Sequence, residues 1–276
     1  MNRLPKAKQA QIVSALVEGV SIRATCRMFD VSKNTVTKLL VDLGAVCKEY
    51  QDHAMRGLKC RRLQVDEIWS FCYAKQKNVP QGMKGQFGVG DVWTWTAIDA
   101  DTKLIPSWYV GLRNAGDAEV FLADLASRLV DRPQITSDGL KVYLDAVEGA
   151  FGQDVDYAML VKIYGSDPEG QRRYSPAVCT GAEKTVITGA PDPKHVSTSY
   201  VERQNLSMRM GMRRFTRLTN GFSKKVQNHE AAISLYFLHY NFVRIHQTLR
   251  VTPAMQAGIA DHAWTVEELI DLLGDR

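Results

Sequence analysis

The sequence predicts an α/β protein in which an all-α domain at the N-terminus precedes a mixed-sheet core. Residues 1–46 show apolar residues at helical spacing, interrupted by short turns. Residues 63–110 contain three stretches rich in branched and aromatic side chains, which are typical of strands. After residue 118, two stretches with helical spacing flank a short strand at residues 134–137. This order predicts a strand meander followed by a helix–strand–helix unit.

The composition excludes several classes of protein. Of 276 residues, 45% are hydrophobic and 24% charged, an ordinary globular composition that argues against disorder and fibrous folds. No apolar run approaches the ~20 residues of a membrane-spanning helix, and residues 1–6 lack the apolar stretch of a secretory signal. Five widely spaced cysteines without a CxxC pair favour a reducing compartment. We therefore expect a cytoplasmic protein with no membrane contact.

Charge is distributed unevenly along the chain. Residues 1–62 carry a net charge of +7, residues 63–202 one of −6, and residues 203–276 one of +4. The basic segments at both ends could bind a polyanion. The acidic middle segment would need bound cations in order to lie near that polyanion. Taken alone, this distribution is better explained by chance.

The first domain is expected to contain three helices, the second capped by Ser21 and the third by Ser32. Gly44 is the expected stop of the third helix. A short Asp-Val-Ser turn between the second and third helices, together with the basic charge, favours a helix-turn-helix DNA-binding domain over a bundle with a merely solvated polar face. The three helices are expected at residues 7–17, 22–29 and 33–43.

In a helix-turn-helix, side chains of the third helix contact DNA. Lys33 and Lys38 are expected to contact phosphates, and Asn34 and Thr37 to reach base edges. After this helix, residues 47–62 lose helical spacing and are rich in Lys and Arg, which predicts a basic linker.

The core begins with a predicted meander of strands at residues 63–73, 89–99 and 104–110. A helix at residues 118–130 and a second at residues 139–151 flank the strand at 134–137, which we expect to be parallel. The first helix is expected to bury the apolar side chains of Val120, Phe121, Leu125 and Leu129.

Two acidic residues of the core are candidate ligands. Asp66 lies inside an apolar strand, where a carboxylate is costly unless it binds something or faces solvent at an edge. Asp138 follows the fourth strand, where open α/β sheets bind ligands, although it could instead cap the next helix. Glu67 is expected to point to the opposite face because strand side chains alternate.

A third acid, Glu202, lies on a helix that is expected to begin near Ser197 or Ser199. Asn205 and Arg209 share its face of that helix, with Arg209 two turns on. Residues 203–225 contain seven basic side chains and no acidic one. One carboxylate followed by a wholly basic stretch favours a helix that supplies one metal ligand and then tracks a phosphate backbone.

Several of these segments together resemble the DDE transposases of the insertion-sequence-one family. The first is residues 66–75, Asp-Glu-Ile-Trp-Ser-Phe-Cys-Tyr-Ala-Lys. The others are residues 137–139 with Tyr143, residues 200–209, residues 221–225 followed by His229, and residues 240–254. The resemblance covers roughly residues 60–258. Many members carry a cysteine zinc motif before the helix-turn-helix, which this chain lacks.

The resemblance implies a ribonuclease-H-like core in which Asp66, Asp138 and Glu202 form the catalytic, metal-binding triad. It implies two Mg²⁺ ions, with Mn²⁺ as a substitute, that support hydrolysis at the element's ends and strand transfer. Partners are then the terminal inverted repeats and target DNA, with a homodimer or higher oligomer associated with the bacterial nucleoid. We expect further DNA contacts from basic residues of the core: Arg209, Arg213, Arg214, Lys224 and Lys225.

The domains that follow are a helix-turn-helix at 1–46, the linker at 47–62, a DDE core at 63–258 and a C-terminal helix at 259–276. Residues 166–192, rich in Gly and Pro, are expected to form a loop. The last helix is expected at residues 266–273, with a capping box formed by Thr265 and Glu268. Two other functions stay open: a DNA-binding regulator with an inactive core, and a nuclease on the same fold.

Overall fold

The computed structural model describes residues 4–165, 178–216 and 219–274. These residues form an α/β structure with one mixed sheet, which confirms the predicted fold class. The strands are β1 (Arg62–Cys72), β2 (Gly90–Asp99), β3 (Trp108–Gly111), β4 (Gln134–Ser137), β5 (Asp156–Tyr164) and β6 (Cys179–Thr188). The helices are α1 (Lys6–Val17), α2 (Ile22–Phe29), α3 (Lys33–Ala54), α4 (Ala115–Arg128), α5 (Val142–Phe151), α6 (Ser199–Gly211), α7 (Val226–Leu238), α8 (Pro253–Gln256) and α9 (Val266–Asp271).

The strand order in the sheet is β3-β2-β1-β4-β5-β6. The first three strands form the predicted antiparallel meander, and β4 lies parallel to both β1 and β5. An antiparallel meander that continues into parallel strands in this order is the ribonuclease-H-like arrangement. Strand β6 extends it, antiparallel to β5.

Strand β6 corrects the predicted loop at residues 166–192, of which residues 166–177 lie outside the described residues. Nearly every side chain of β6 is exposed, so the strand has no buried apolar face for periodicity to reveal. Its backbone hydrogen bonds to β5 hold it instead.

Side chains of β1 alternate between two layers of helices. Leu63 and Val65 belong to the core beneath α4 and α5, whereas Ile68 belongs to the core beneath α6 and α7. Helix α4 begins earlier than predicted, because Asn114 caps it by accepting the backbone N–H of Asp117. The expected burial of Val120 is wrong, since this side chain is 51% exposed.

Helices α1, α2 and α3 form the N-terminal region, with Ser21 and Ser32 capping α2 and α3 as predicted. The expected stop at Gly44 is wrong, because α3 continues to Ala54. A Cβ on Gly44 would lie 2.5 Å from the backbone of Ala231, so this glycine lets α3 approach α7 closely.

The extended α3 also corrects the predicted linker over its first half. Residues 47–54 are helical, and the side chain of Gln51 donates a hydrogen bond to the backbone C=O of Ser234 on α7 (3.1 Å). Apolar residues of α1 and α3 share one core with the sheet and with α9. The boundaries proposed for the domains stay a prediction.

The C-terminal segment packs back onto the rest of the chain. Asn241, in a π-helical turn after α7, bonds both the N–H and the C=O of Ile105 through its side-chain amide. Helix α9 has the predicted capping box of Thr265 and Glu268 and contacts α1. Within the described ranges, no helix combines the length and apolar character needed to cross a membrane.

Candidate functional site

The candidate site lies where β1 extends beyond its shorter neighbour β4. Pairing with β4 reaches only as far as Gln64, opposite Thr136, so the next part of β1 has an open edge on that side. Continuing the same register places Asp66 opposite Asp138, directly after β4. Carboxylate oxygens of Asp66, Glu67 and Asp138 lie within 4.8 Å of one another. Two of the three predicted acids therefore converge, and a third, unpredicted carboxylate joins them.

Asp66 is held on the α6 side of the sheet. Its Oδ1 accepts the backbone N–H of Glu67 (2.9 Å), and its Oδ2 accepts the side-chain amide of Asn205 on α6 (2.8 Å). Burial raises the pKa of Asp66 to about 7, and the nearby charges of Glu67, Asp138 and Glu202 add to this shift. The carboxylates are thus crowded enough to repel one another.

Strand alternation predicts that the side chain of Glu67 points to the face opposite Asp66. Its side chain does lie on the α5 side, where the Tyr143 hydroxyl donates to Oε2 (3.0 Å) and Arg113 Nε donates to Oε1 (2.8 Å). Next to an open strand edge, however, the long side chain brings its carboxylate within reach of Asp138. Burial and the Asp138 charge raise the pKa of Glu67 to about 6, against the opposing effect of Arg113.

Asp138 forms a tight turn by accepting the backbone N–H of Leu140 at Oδ1 (2.9 Å). It does not cap α5, which begins at Val142. The helix-cap alternative is therefore wrong, and the second oxygen of Asp138 is left for the cluster.

Glu202 is positioned by the docking of α6 on β1. Gln64 Oε1 accepts the backbone N–H groups of Tyr200 (2.8 Å) and Val201 (3.2 Å), which caps the helix from a distant strand. One turn after Glu202, Asn205 makes its bond to Asp66. The helix therefore reaches the cluster, and the charge of Glu202 acts on Asp66.

The carboxylate of Glu202 nevertheless has other partners. It accepts hydrogen bonds from Lys162 Nζ on β5 and from the Thr198 hydroxyl (2.7 Å). Within the described residues, the three-carboxylate cluster does not include it. The structure thus brings two of the predicted triad together and pairs the third with a lysine beside them.

The donor set at the open edge fits a divalent metal ion. Three carboxylates supply the oxygen ligands that Mg²⁺ and Mn²⁺ prefer, and their mutual repulsion would be relieved by a cation. The Oδ1 atom of Asn205, next to Asp66, is buried and has no hydrogen-bond partner among the described residues. A buried polar atom of this kind is unusual unless a ligand or water completes it.

The predicted nucleic-acid contacts fall largely into one place. A cleft of about 960 Å³ separates the N-terminal helices from the segment between α6 and α7. Lys38 lies outside its lining and pairs with Asp42, and Arg209, half-buried on α6, does not line it. The predicted residues that line the cleft are Lys33, Asn34, Thr37, Arg213, Arg214, Lys224 and Lys225.

The solved structures that are similar to this chain at low identity include two transposases. One is the piggyBac transposase in a synaptic complex with hairpin DNA, with a TM-score of 0.39 and 11% identity over 97% of this chain and 69% of that one. The other is the Mos1 transposase in a paired-end complex with the left transposon end, with a TM-score of 0.22 and 12% identity over 54% of this chain and 58% of that one. No family model matches the chain, and neither does any curated protein. At these TM-scores the similarity carries no functional conclusion.

Proposed function

We propose that this protein is a metal-dependent DNA transposase that cuts DNA at the ends of a mobile element and joins the cut strand to target DNA. The observation that carries the proposal is the convergence of Asp66 and Asp138, with Glu67, at the open edge of a ribonuclease-H-like sheet. Acids on the first strand and after the fourth occupy the positions that the resemblance to insertion-sequence-one transposases assigns to catalysis.

In the proposed site, Asp66, Asp138 and Glu202 hold two Mg²⁺ ions, or Mn²⁺ in their place, with Glu67 as an added candidate. Bound ions supply Lewis-acid stabilisation of the attacking and leaving oxygens in an in-line phosphodiester displacement. Asn205 orients Asp66 through its 2.8 Å hydrogen bond. Tyr143 and Arg113 orient Glu67 in the same way. Release of Glu202 from Lys162 completes the triad.

The basic cleft is the proposed binding site for the element's terminal inverted repeats, and target DNA is the second substrate. Joining both ends of one element to a target needs an active site for each end, so we propose a homodimer or higher oligomer acting in the bacterial cytoplasm at the nucleoid. Arg209, two turns beyond Glu202, is a proposed contact to the end DNA.

A strand-transfer assay tests this function. A labelled duplex carrying the terminal repeat is incubated with Mg²⁺ and a plasmid target, and cut and joined products are separated. We expect both products from the unaltered chain. We expect neither from Asp138→Asn, which should still bind the duplex because Asp138 is not part of the cleft.

Other outcomes identify the competing functions. Binding without cutting would favour the DNA-binding regulator, and cutting without joining would favour a nuclease. Asp145→Asn, an exposed acid on α5, is the matched control and should cut as well as the unaltered chain. Cutting that survives Asp138→Asn would contradict the proposed site.

A further inference from the structure

The cleft between the N-terminal helices and the core is strongly basic on both walls. The basic residues that line it are Arg23, Lys33, Arg213, Arg214, Lys224 and Lys225, and none of the described Asp or Glu residues lines it. Arg23 and Lys33 come from α2 and α3, whereas the other four come from the segment between α6 and α7. Two surfaces far apart in the sequence therefore face one space.

Arg214 has no acidic partner at ion-pair distance among the described residues. Its Nη1 donates to the hydroxyl of Ser223 (2.8 Å), and burial lowers the pKa of Arg214 to about 10, so it is still charged at neutral pH. A desolvated cation without a counter-charge is costly. An anion in the cleft would relieve that cost.

A buried chain of hydrogen bonds fixes Arg214 from behind. The Ser70 hydroxyl donates to the backbone C=O of Val92 (2.9 Å), so it accepts from His229 Nε2–H (3.1 Å). A neutral ring with its proton on Nε2 accepts at Nδ1, so the Ser223 hydroxyl donates to His229 Nδ1 (3.0 Å) while it accepts from Arg214. His229 is fully buried, and burial followed by the Arg214 charge lowers its pKa to about 3, which keeps it neutral. Both hydroxyls and both ring nitrogens of this chain therefore have a partner, and the remaining N–H groups of Arg214 are left for a ligand.

We propose that Arg214 is a preorganised phosphate-binding residue, and that one DNA segment in the cleft contacts both walls at the same time. Ser223 and His229 are positioning residues: they connect the guanidinium of Arg214 by hydrogen bonds to Ser70 on strand β1. The backbone phosphates supply the missing counter-charge, and arginine binds them through paired N–H groups. This inference rests on the proposed function for the identity of the anion, although it does not depend on the metal site.

Binding of a 30-bp duplex, measured by fluorescence anisotropy in EDTA at several salt concentrations, tests the proposal apart from catalysis. Arg214→Gln is expected to weaken binding about tenfold, and to reduce the slope of log K against log salt by about 0.9 because one phosphate contact is lost. Ser223→Ala should weaken binding less and leave that slope unchanged, since the charge remains. The double variant should bind no more weakly than Arg214→Gln alone.

Lys84→Gln, at an exposed lysine outside the cleft, removes the same charge and is expected to change affinity less than twofold. Unchanged affinity and slope in Arg214→Gln would overturn the proposal, while strand cutting in Mg²⁺ would still support the proposed function. A duplex that does not bind the unaltered chain at all would overturn both.

Lysine acetylation of the unaltered protein provides a second test that requires no folded variant. As duplex is added, we expect acetylation of Lys33 and of Lys225 to fall with the same midpoint, and protection to be complete at one equivalent of duplex. Lys84 should stay reactive throughout. Protection of one wall alone, or two separate midpoints, would overturn the inference that one DNA segment contacts both walls.

Discussion

At the scale of single residues, the crowding of carboxylates around Asp66 has a measurable consequence for stability. The pKa of about 7 in the folded chain lies above the ordinary value of 3.8. Between these values the folded state binds more protons than the unfolded state, so its stability falls with rising pH. The stabilisation is therefore fully present below pH 4 and lost as pH rises through about 7.

We expect metal-free protein to show a melting temperature that declines between pH 5 and pH 8 in differential scanning fluorimetry. Asp66→Asn should flatten this decline and, by removing a buried charge that its neighbours repel, raise the melting temperature at pH 8 by several degrees. Mg²⁺ should stabilise the unaltered chain more at pH 8 than at pH 5, because protonation competes with the cation.

Asp145→Asn, at an exposed acid on α5, is the control and should leave the pH profile unchanged. A profile in which Asp66→Asn melts at a lower temperature than the unaltered chain at pH 8 without metal would contradict the repulsion inferred here.

Tyr143→Phe removes the hydroxyl that donates to Glu67 while keeping the aromatic ring. We expect a loss of about 1–3 kcal/mol in stability, since a buried bond to a charged group is lost. The pKa of Glu67 should rise further, so DNA cutting should reach its half-maximal rate at higher pH. A matched pH–rate profile for both proteins measures this, and an unshifted profile would separate Glu67 from the reaction.

Glu67 also shows what strand periodicity predicts and what it does not. Alternation correctly places its side chain on the α5 face, opposite to Asp66. It does not indicate that β4 ends two residues before the position opposite Glu67. The edge of β1 is open there, so the carboxylate of Glu67 can approach Asp138. The placement of Asp66 near Asp138 was predictable from local patterns, whereas the pairing of Glu202 with Lys162 depends on β5 and is not visible in either segment alone.

At the scale of elements, the crossing of α3 and α7 depends on Gly44. A Cβ there would lie 2.5 Å from backbone and side-chain atoms of Ala231. We expect Gly44→Ala to destabilise the protein by about 1–3 kcal/mol, because one helix must move away from the other. Chemical denaturation measures the change.

Gly149→Ala is the matched control, since Gly149 lies inside α5 with open space around its Cβ position. Its replacement should stabilise the helix by about 0.5–1 kcal/mol. Equal effects of the two substitutions would mean that α3 and α7 do not cross closely at Gly44.

The docking of α6 depends on Gln64 in the same manner. Gln64→Ala leaves the N–H groups of Tyr200 and Val201 without their acceptor, which should cost about 1–2 kcal/mol and move Glu202 away from Asp66. We expect DNA cutting to fall much more than duplex binding. Gln227→Ala, at an exposed position on α7, should change neither, and a Gln64 variant that cuts normally would contradict this role.

The elements differ in how far the sequence predicted them. Caps and apolar spacing predicted α2, the start of α3 and the capping box of α9, because these signals are local. The end of α3 and the existence of β6 were missed for a shared reason. Gly44 allows α3 to contact α7, and β6 is held by backbone pairing with β5. In each case the partner element is distant in the sequence.

At the scale of the whole molecule, the N-terminal helices, the sheet and the C-terminal helix share one core. Ile12 and Leu40 belong to the same buried cluster as Val65 of β1 and Leu269 of α9. We expect a single calorimetric unfolding transition, with calorimetric and van't Hoff enthalpies that agree.

Leu269→Ala should lower the free energy of unfolding of the whole chain by about 2–5 kcal/mol. It should not produce a second unfolding transition. Val130→Ala, at a side chain that is 59% exposed, should leave it almost unchanged. Two resolved transitions would instead support the domain division predicted at residue 46.

Strand β1 has one further consequence for how the chain tolerates change. Gln64, Asp66 and Ser70 all face the α6–α7 layer, where they contact α6, Asn205 and His229 in turn. Adding one amino acid just before Gln64 would turn all three toward the opposite side of the sheet in a single event. The cap of α6, the metal site and the support of Arg214 would be lost together, whereas an added residue in the turn after β2 would spare them. Length variation among functional versions of this protein should therefore avoid β1.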